Sequence, residues 1–368
     1  MSKSKPNVFI ICTGVGHINR GYETFTIECF NELRSSPDFD LYLLKGAGPS
    51  ADRELTIPCV ERNSAAAARL AKATGHEKYW VEQFTFLIGM LPALIKYRPA
   101  VIYYSDFVLG TFLFHLRRFL KFKYKLLFSN GSPNGPPYKT EDHVQQLLAI
   151  YEQEGIKGGT PPEKQTLLPY GFAIGLDEHL EAISKKQDIR KALGLDPEKK
   201  IILSVGAINK HHKRMDYVVN EVAKLPDDYF LVILGQYEQQ TQEIKDIAAD
   251  KLKGRHLIAN VPPDAVKKYY AASDYFVLGS LVEGFGRVII EAQSYGLPCF
   301  VNDYVNAREV LGKYGEYVNM EADGALASAL LSYKQQYSQQ DRIEASYNLY
   351  SWDKLKQGYI DMIKKLIV

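Results

Sequence analysis

Glu283 and Glu291 stand eight positions apart around Gly284-Phe285-Gly286-Arg287-Val288, a grouping of carboxylates, glycines and a cation suited to an anionic, hydroxyl-rich ligand. A carboxylate accepts paired hydrogen bonds from adjacent hydroxyls, so either glutamate can hold a sugar or a ribose. Gly284 and Gly286 have no Cβ and let a ligand close on the backbone. The apolar run Tyr275–Leu278 predicts a buried strand, and Val288 to Tyr295 predicts a helix closed by Gly296 and Pro298. The first amides of such a helix lack internal partners and its dipole favours negative charge, so a phosphate belongs there. The ligand implied is part phosphate and part polyol.

The same order of strand, glycine turn and helix occurs twice more. Ile201 to Val205 runs into Gly206 and a basic loop holding Lys210, Lys213 and Arg214. Val8 to Cys12 runs into Thr13-Gly14-Val-Gly16-His17-Ile-Asn19-Arg20. A dinucleotide fingerprint would need glycine at Asn19 and an acid on the second strand, so the expectation is an anion-tolerant loop carrying His17 and Arg20. Val101 to Asp106 reads as a strand delivering Asp106 to the carboxyl edge, as a ligand group or as the N-cap of the next helix. Asn130 opens a turn-rich loop, Asn130 to Pro137, expected to frame an acceptor site, with His143 a weaker candidate beyond it.

The elements between are expected as follows. Asp40 to Leu44 and Ile57 to Val60 read as strands, and residues 64–96 as helix kinked at Pro92. Asp38-Phe-Asp40 mimics a metal-binding pair but opens a second strand away from the glycine loops, and no metal site is expected. Phe112 to Phe128 interleaves Arg117, Arg118, Lys121, Lys123 and Lys125 with Phe and Leu. It reads as a membrane-surface patch or, preferably, as a core helix turning into a strand with its charges exposed.

The stretch from Ala272 to Pro298 resembles the signature of glycosyltransferase family 4, whose retaining members carry a Glu-x7-Glu motif. The resemblance spans the second half in order, with the first glycine loop and the hinge near Leu167-Leu-Pro-Tyr-Gly171. It implies a GT-B fold: two Rossmann-like doubly wound α/β domains facing a central cleft. Residues 1–175 would form the acceptor domain, 176–348 the donor domain and 349–368 a helix, begun by Trp352, crossing back to the first domain. The donor would be a nucleotide-diphosphate sugar of UDP or GDP type, with no metal or other cofactor, and the acceptor a hydroxyl of a glycan, a lipid-linked sugar or a small metabolite.

By resemblance Glu283 faces the donor sugar, Glu291 the ribose, and the amides of Gly284 to Val288 the diphosphate. Lys213 matches the family lysine on the diphosphate, and Gly14, Gly16 and His17 line the reaction centre. Asn260, Val261 and Pro262 cup the base. Ala207 stands where the family has an arginine, and Lys210, Arg214 or Arg287 is the expected substitute. The rival readings are a hydrolase, phosphorylase or epimerase of the same fold, and a catalytically silent sugar-nucleotide binder or scaffold.

Composition limits the rest. The 368 residues are 46% hydrophobic and 24% charged, which predicts two globular domains. A formal net charge of +2 gives no bulk argument for nucleic acid. Cys12, Cys29, Cys59 and Cys299 show no CxxC spacing, and the lack of a signal-like start or long apolar run predicts a cytoplasmic protein.

Overall fold

A computed structural model describes residues 5–18, 20–131 and 135–367. Asn19 and the loop positions Ser132, Pro133 and Asn134 lie outside the described residues. The chain divides into two units, Met1–Phe172 with Trp352–Val368, and Ala173–Ser351.

In the first unit β1 (Asn7–Cys12), β2 (Asp40–Lys45), β3 (Glu54–Thr56), β4 (Val101–Tyr104), β5 (Lys125–Asn130), β6 (His143–Gln146) and β7 (Gln165–Leu167) form one sheet in the order β3-β2-β1-β4-β5-β6-β7. Every pairing is parallel. A parallel sheet is covered on both faces, so its central strands can be apolar throughout. All four residues of β4 are buried, as are Val8 to Cys12 of β1. The expected strand at Ile57 to Val60 lies earlier, at Glu54–Thr56. Ile57 still donates to the Lys45 carbonyl at 2.8 Å, and Pro58 then has no N–H to extend the ladder.

The α-helices described among these strands are α1 (Gly21–Leu33), α2 (Ala65–Thr74), α3 (Lys78–Tyr97), α4 (Phe107–Leu120) and α5 (Ala149–Lys157). The helical stretch expected over 64–96 is therefore two helices. Ser64 caps the first through Ala67 N–H, and Gly75 ends it at φ 71°. The second continues through Pro92.

The second unit repeats the plan with β8 (Lys200–Val205), β9 (Tyr229–Leu234), β10 (His256–Ala259), β11 (Tyr275–Leu278), β12 (Cys299–Asn302) and β13 (Gly315–Val318), ordered β10-β9-β8-β11-β12-β13 and all parallel. Asp274, just before β11, accepts from Arg190 at 2.5 Å, Lys186 at 2.6 Å and the Ile201 amide at 2.7 Å. It thereby fixes the amino ends of the two central strands. Each sheet reverses its winding once, between β1 and β4 and between β8 and β11. At such a switch point the following segments diverge and leave a crevice at the carboxyl edge.

The helix Trp352–Lys364 belongs to the first unit. Trp352 N–H donates to Phe172 O at 3.1 Å, and a Cβ at Gly171 would lie 2.4 Å from the indole ring. Phe25 of α1 stacks on Tyr170 at 4.0 Å and on Trp352 at 6.0 Å, while Tyr359 donates to Pro169 O at 2.8 Å. Replacing Trp352 by Ala should cost about 3–5 kcal/mol of first-unit stability. Denaturant unfolding followed by the near-ultraviolet signal of the remaining aromatics measures this loss.

Candidate functional site

In the second unit the site forms at the switch point. Ile208 and Met215, both fully buried, anchor the two ends of the loop after β8. Between them Asn209 organises the turn. Its carbonyl oxygen Oδ1 accepts from His212 N–H at 3.0 Å and Lys213 N–H at 2.8 Å, and its Nδ2 donates to Glu238 at 3.0 Å. Gly206 gives the Lys213 stem room, since a Cβ there would lie 3.0 Å from Lys213 Cε. Lys213 Nζ then meets Glu283 Oε1 at 2.5 Å, with both side chains nearly buried. His212 Nε2 lies 4.0 Å from the same oxygen and is half exposed.

Glu283 enters on the loop after β11. Asn306 Nδ2 donates to the carbonyls of Glu283 at 2.9 Å and Gly284 at 3.0 Å, which holds that loop in place. Phe285 is buried, its ring edge-on to Tyr350, while Gly286 takes φ 77° as the N-cap of helix Arg287–Ser294 with no side chain capping it. Glu291 projects from that helix. Tyr270 OH donates to its Oε2 at 3.2 Å, and Arg287 lies 3.7 Å from its Oε1. Burial first, and then the Glu291 charge, push the Tyr270 phenol well up, so it acts as a donor.

Of the three cations expected to replace the arginine at Ala207, two are committed elsewhere. Lys210 Nζ pairs with Glu243 at 2.7 Å, and Arg214 donates to Met320 O at 2.8 Å with its guanidinium over the Tyr217 ring. Arg287, buried at the first position of the helix, stands beside the glycine loop. Asn260, Val261 and Pro262 follow β10, the outer strand of this sheet, and only Val261 among them is partly covered.

The first unit gathers a second polar cluster at its own switch point. His17 Nε2 lies 2.9 Å from Oε1 of Glu82, a fully buried carboxylate on α3. Arg62 donates to Glu82 through its backbone at 2.9 Å and its Nε at 2.6 Å. Burial would raise the Glu82 carboxyl, but the Arg62 side-chain and backbone hydrogen bonds, with His17, hold it below the usual range. An ionised Glu82 only accepts, so His17 donates from Nε2, and its buried Nδ1 has no partner among the described residues. Asp106 occupies the N-cap position of α4, but its side chain makes no cap hydrogen bond there and instead accepts from Tyr79 OH at 2.5 Å. Burial pushes the Asp106 carboxyl up, against the Tyr79 hydrogen bond and the Arg62 charge.

Gly16 is required by the backbone itself, whereas Gly14 packs against the Glu23 side chain. A Cβ at Gly14 would meet Glu23 Oε1 at 2.2 Å, and one at Gly16, where φ is 99°, would meet Ala47 O at 2.3 Å. Arg20 pairs with Glu23 at 2.8 Å. Asn130, expected on the acceptor side, is fully buried and donates to Tyr138 and Gln146, each at 2.9 Å, which makes it part of the scaffold. His143 opens β6 at the amino edge, away from the glycine loop, bonded to Thr166 at 2.7 Å. Asp38 and Asp40 also lie toward the amino end of their strand, paired with Lys364 at 2.9 Å and Arg53 at 3.3 Å. Sequence reasoning missed Asn209, which lies within the loop after Gly206, and Tyr270, Asn306, Arg62 and Glu82, which sit outside the glycine-loop signatures.

Residues 185–347 match the family model described as "Glycosyl transferases group 1", which covers nearly all of the second unit. The chain is 29% identical over 204 residues to the D-inositol 3-phosphate glycosyltransferase of Mycobacterium ulcerans, a match covering 51% of this chain and 42% of that protein. It therefore spans less than half the length of the curated relatives it matches first. It is 26% identical over 370 residues to the UDP-Gal:alpha-D-GlcNAc-diphosphoundecaprenol alpha-1,3-galactosyltransferase of Escherichia coli, covering 90% of this chain and 92% of that one. Among solved structures, the sucrose-phosphate synthase of Thermosynechococcus elongatus superimposes with a TM-score of 0.79 at 16% identity, covering 98% and 99% of the two chains. The HepE protein of Anabaena in complex with UDP-glucose gives 0.72 at 14% identity over 98% and 99%. The two parallel-sheet Rossmann-like units thus have the GT-B fold.

The Lys213–Glu283 pair can be separated from any catalytic role by a mutant cycle. Lys213→Met leaves a nearly buried carboxylate without its main cation and should cost about 3 kcal/mol, most of it recovered when Glu283→Gln is added. Denaturant midpoints of the two single variants and the double variant measure the cycle. His143 gives a pH signature. Burial, helped by Lys365 and Lys164, holds its pKa down to about 4 from 6.5, so the unfolded chain takes the proton first. Stability should fall by at most about 3 kcal/mol as pH drops from 6.5 to 4. His143→Gln should flatten that slope in unfolding curves taken across the same range.

Proposed function

We propose that the chain is a retaining glycosyltransferase that binds a nucleotide-diphosphate sugar on its second unit and passes the sugar to a hydroxyl acceptor without a metal ion. The observation that carries this reading is the contact of Lys213 with Glu283 at the mouth of the helix that presents Glu291. One ammonium, one glycine-capped helix terminus and two carboxylates are there matched to a diphosphate flanked by two polyols. The family match over the same unit supports it.

In the proposed reaction the donor phosphates draw the Lys213 ammonium from Glu283, and Glu283 turns its carboxylate to the sugar hydroxyls. Glu291, oriented by Tyr270, takes the ribose hydroxyls. The bond from the anomeric carbon to the phosphate oxygen lengthens and breaks, and charge grows on the leaving diphosphate. Lys213, the amides around Phe285 to Val288 and Arg287 neutralise that charge; Arg287 thus fills the place of the arginine expected at Ala207. The acceptor oxygen forms its bond to the anomeric carbon on the same face, and its proton passes to the departing phosphate oxygen. The first unit offers the His17–Glu82 and Asp106–Tyr79 pairs to the acceptor.

UDP is the proposed base, supported by the UDP-galactose in the name of one relative and the UDP-glucose bound to one structural neighbour. The acceptor is proposed to be a glycan, a lipid-linked sugar or a small metabolite. The alternative, a silent sugar-nucleotide binder, rests on Ala207 alone.

Thermal-shift measurement against UDP, GDP, ADP and their sugar conjugates, with and without EDTA, tests the donor site. The expected result is stabilisation by UDP and its sugars that survives chelation. Glu291→Ala should weaken that binding at least ten-fold, about 1.4 kcal/mol. Glu283→Ala should lower turnover at least 100-fold while the nucleotide still binds. A folded protein that no nucleotide stabilises at millimolar concentration overturns the reading, and sugar binding with no transfer to any acceptor favours the silent binder.

A further inference from the structure

The outward face of α3 is apolar. Phe84, Ile88 and Ile95 are 40%, 51% and 61% exposed, Pro92 is exposed among them, and all recur at helical spacing. Trp80 stacks on Phe84 at 5.1 Å and on His76 at 4.1 Å, and Phe112 of α4 meets Trp80 edge-on at 5.3 Å. Phe119, at the end of α4, is 85% exposed. A helix on a protein surface ordinarily turns polar residues to water, so a contiguous aromatic and aliphatic face marks an interaction surface.

The charge around that face is one-sided. Residues 62–139 hold twelve of the chain's 45 Lys and Arg residues but only three of its 43 Asp and Glu. Two of those three, Glu82 and Asp106, are engaged within the polar cluster by Arg62 and Tyr79. Arg69 and Lys72 on α2, Lys78 and Lys96 on α3, and Arg118 and Lys121 at the end of α4 are exposed and make no ion pair with any described residue. Among the described residues no helix is long and apolar enough to cross a membrane.

We propose that the α2–α4 face docks the protein on an anionic bilayer surface, with the α3 stripe entering the acyl boundary and the surrounding cations meeting lipid headgroups. Aromatic and aliphatic residues on helices that also carry exposed cations outside any ion pair fit a negatively charged interface that is apolar just beneath. The sequence placed the membrane option on Phe112 to Phe128, but Lys125 to Phe128 lies in β5, where Leu126 to Phe128 are fully buried. The apolar contact belongs instead to α3. The inference stands apart from the donor site, which lies on the other unit.

Flotation of the full chain with phosphatidylcholine vesicles, with and without phosphatidylglycerol, tests it. Binding is expected only with the anionic lipid, falling at least ten-fold between 50 and 300 mM salt. Ile88→Glu/Ile95→Glu and Arg118→Glu/Lys121→Glu should each reduce it at least ten-fold. These exposed substitutions should leave the nucleotide-induced thermal shift unchanged, which also shows the variants folded. No binding to anionic vesicles at low salt, equal binding to neutral ones, or binding indifferent to the α3 substitutions would overturn the proposal. Self-association abolished by Ile88→Glu/Ile95→Glu, without vesicle binding, would assign the face to a second copy instead.

Discussion

Everything at the Lys213–Glu283 site follows from one reversal in a parallel sheet. β8 and β11 are neighbours in space, yet the chain leaves them in opposite directions, toward β9 and toward β12. The loops after them therefore part at the carboxyl edge, and the crevice between them can be lined from both sides. Lys213 comes from one lip and Glu283 from the other. Asp274 sets the amino ends of the same strands through Arg190, Lys186 and the Ile201 amide, so a carboxylate at the far edge fixes the strand positions on which the site depends.

The ion pair offsets the burial of both its members. Lys213 and Glu283 are both nearly buried, and either one unpaired would be costly. Their mutual contact satisfies both. It also couples the two functions, because a ligand that recruits one must provide for the other.

Much of this was readable in the sequence wherever local pattern and tertiary role coincide. Tyr275–Leu278 is an apolar run followed by glycines and a helix, and it folds as such. The sequence misled where they diverge. β6 reads His-Val-Gln-Gln and carries no strand signature, because its buried polar side chains bond inward to Asn130, Tyr103 and Tyr359. Ile57 to Val60 looked like a strand until Pro58 is set against the ladder it would need to join. Tyr270 and Asn306 could not be recognised because each acts on a residue distant in sequence, and only the fold brings the donor to its acceptor; Asn209 acts locally, but nothing in its type marks it as the organiser of the turn.

The two units apply the same architecture to different electrostatics. At the second switch point an ammonium and a carboxylate are left facing each other, with little else to satisfy either, so the groups can be reassigned by a ligand. At the first, Glu82 is held by Arg62 through two hydrogen bonds and by His17 through a third, and it stays an anion by virtue of all three. That carboxylate is too well satisfied to trade partners, so its effect is exerted through the imidazole it orients. Nδ1 of His17 is the atom left over. A polar group that reaches it would meet an imidazole already fixed in direction by Glu82.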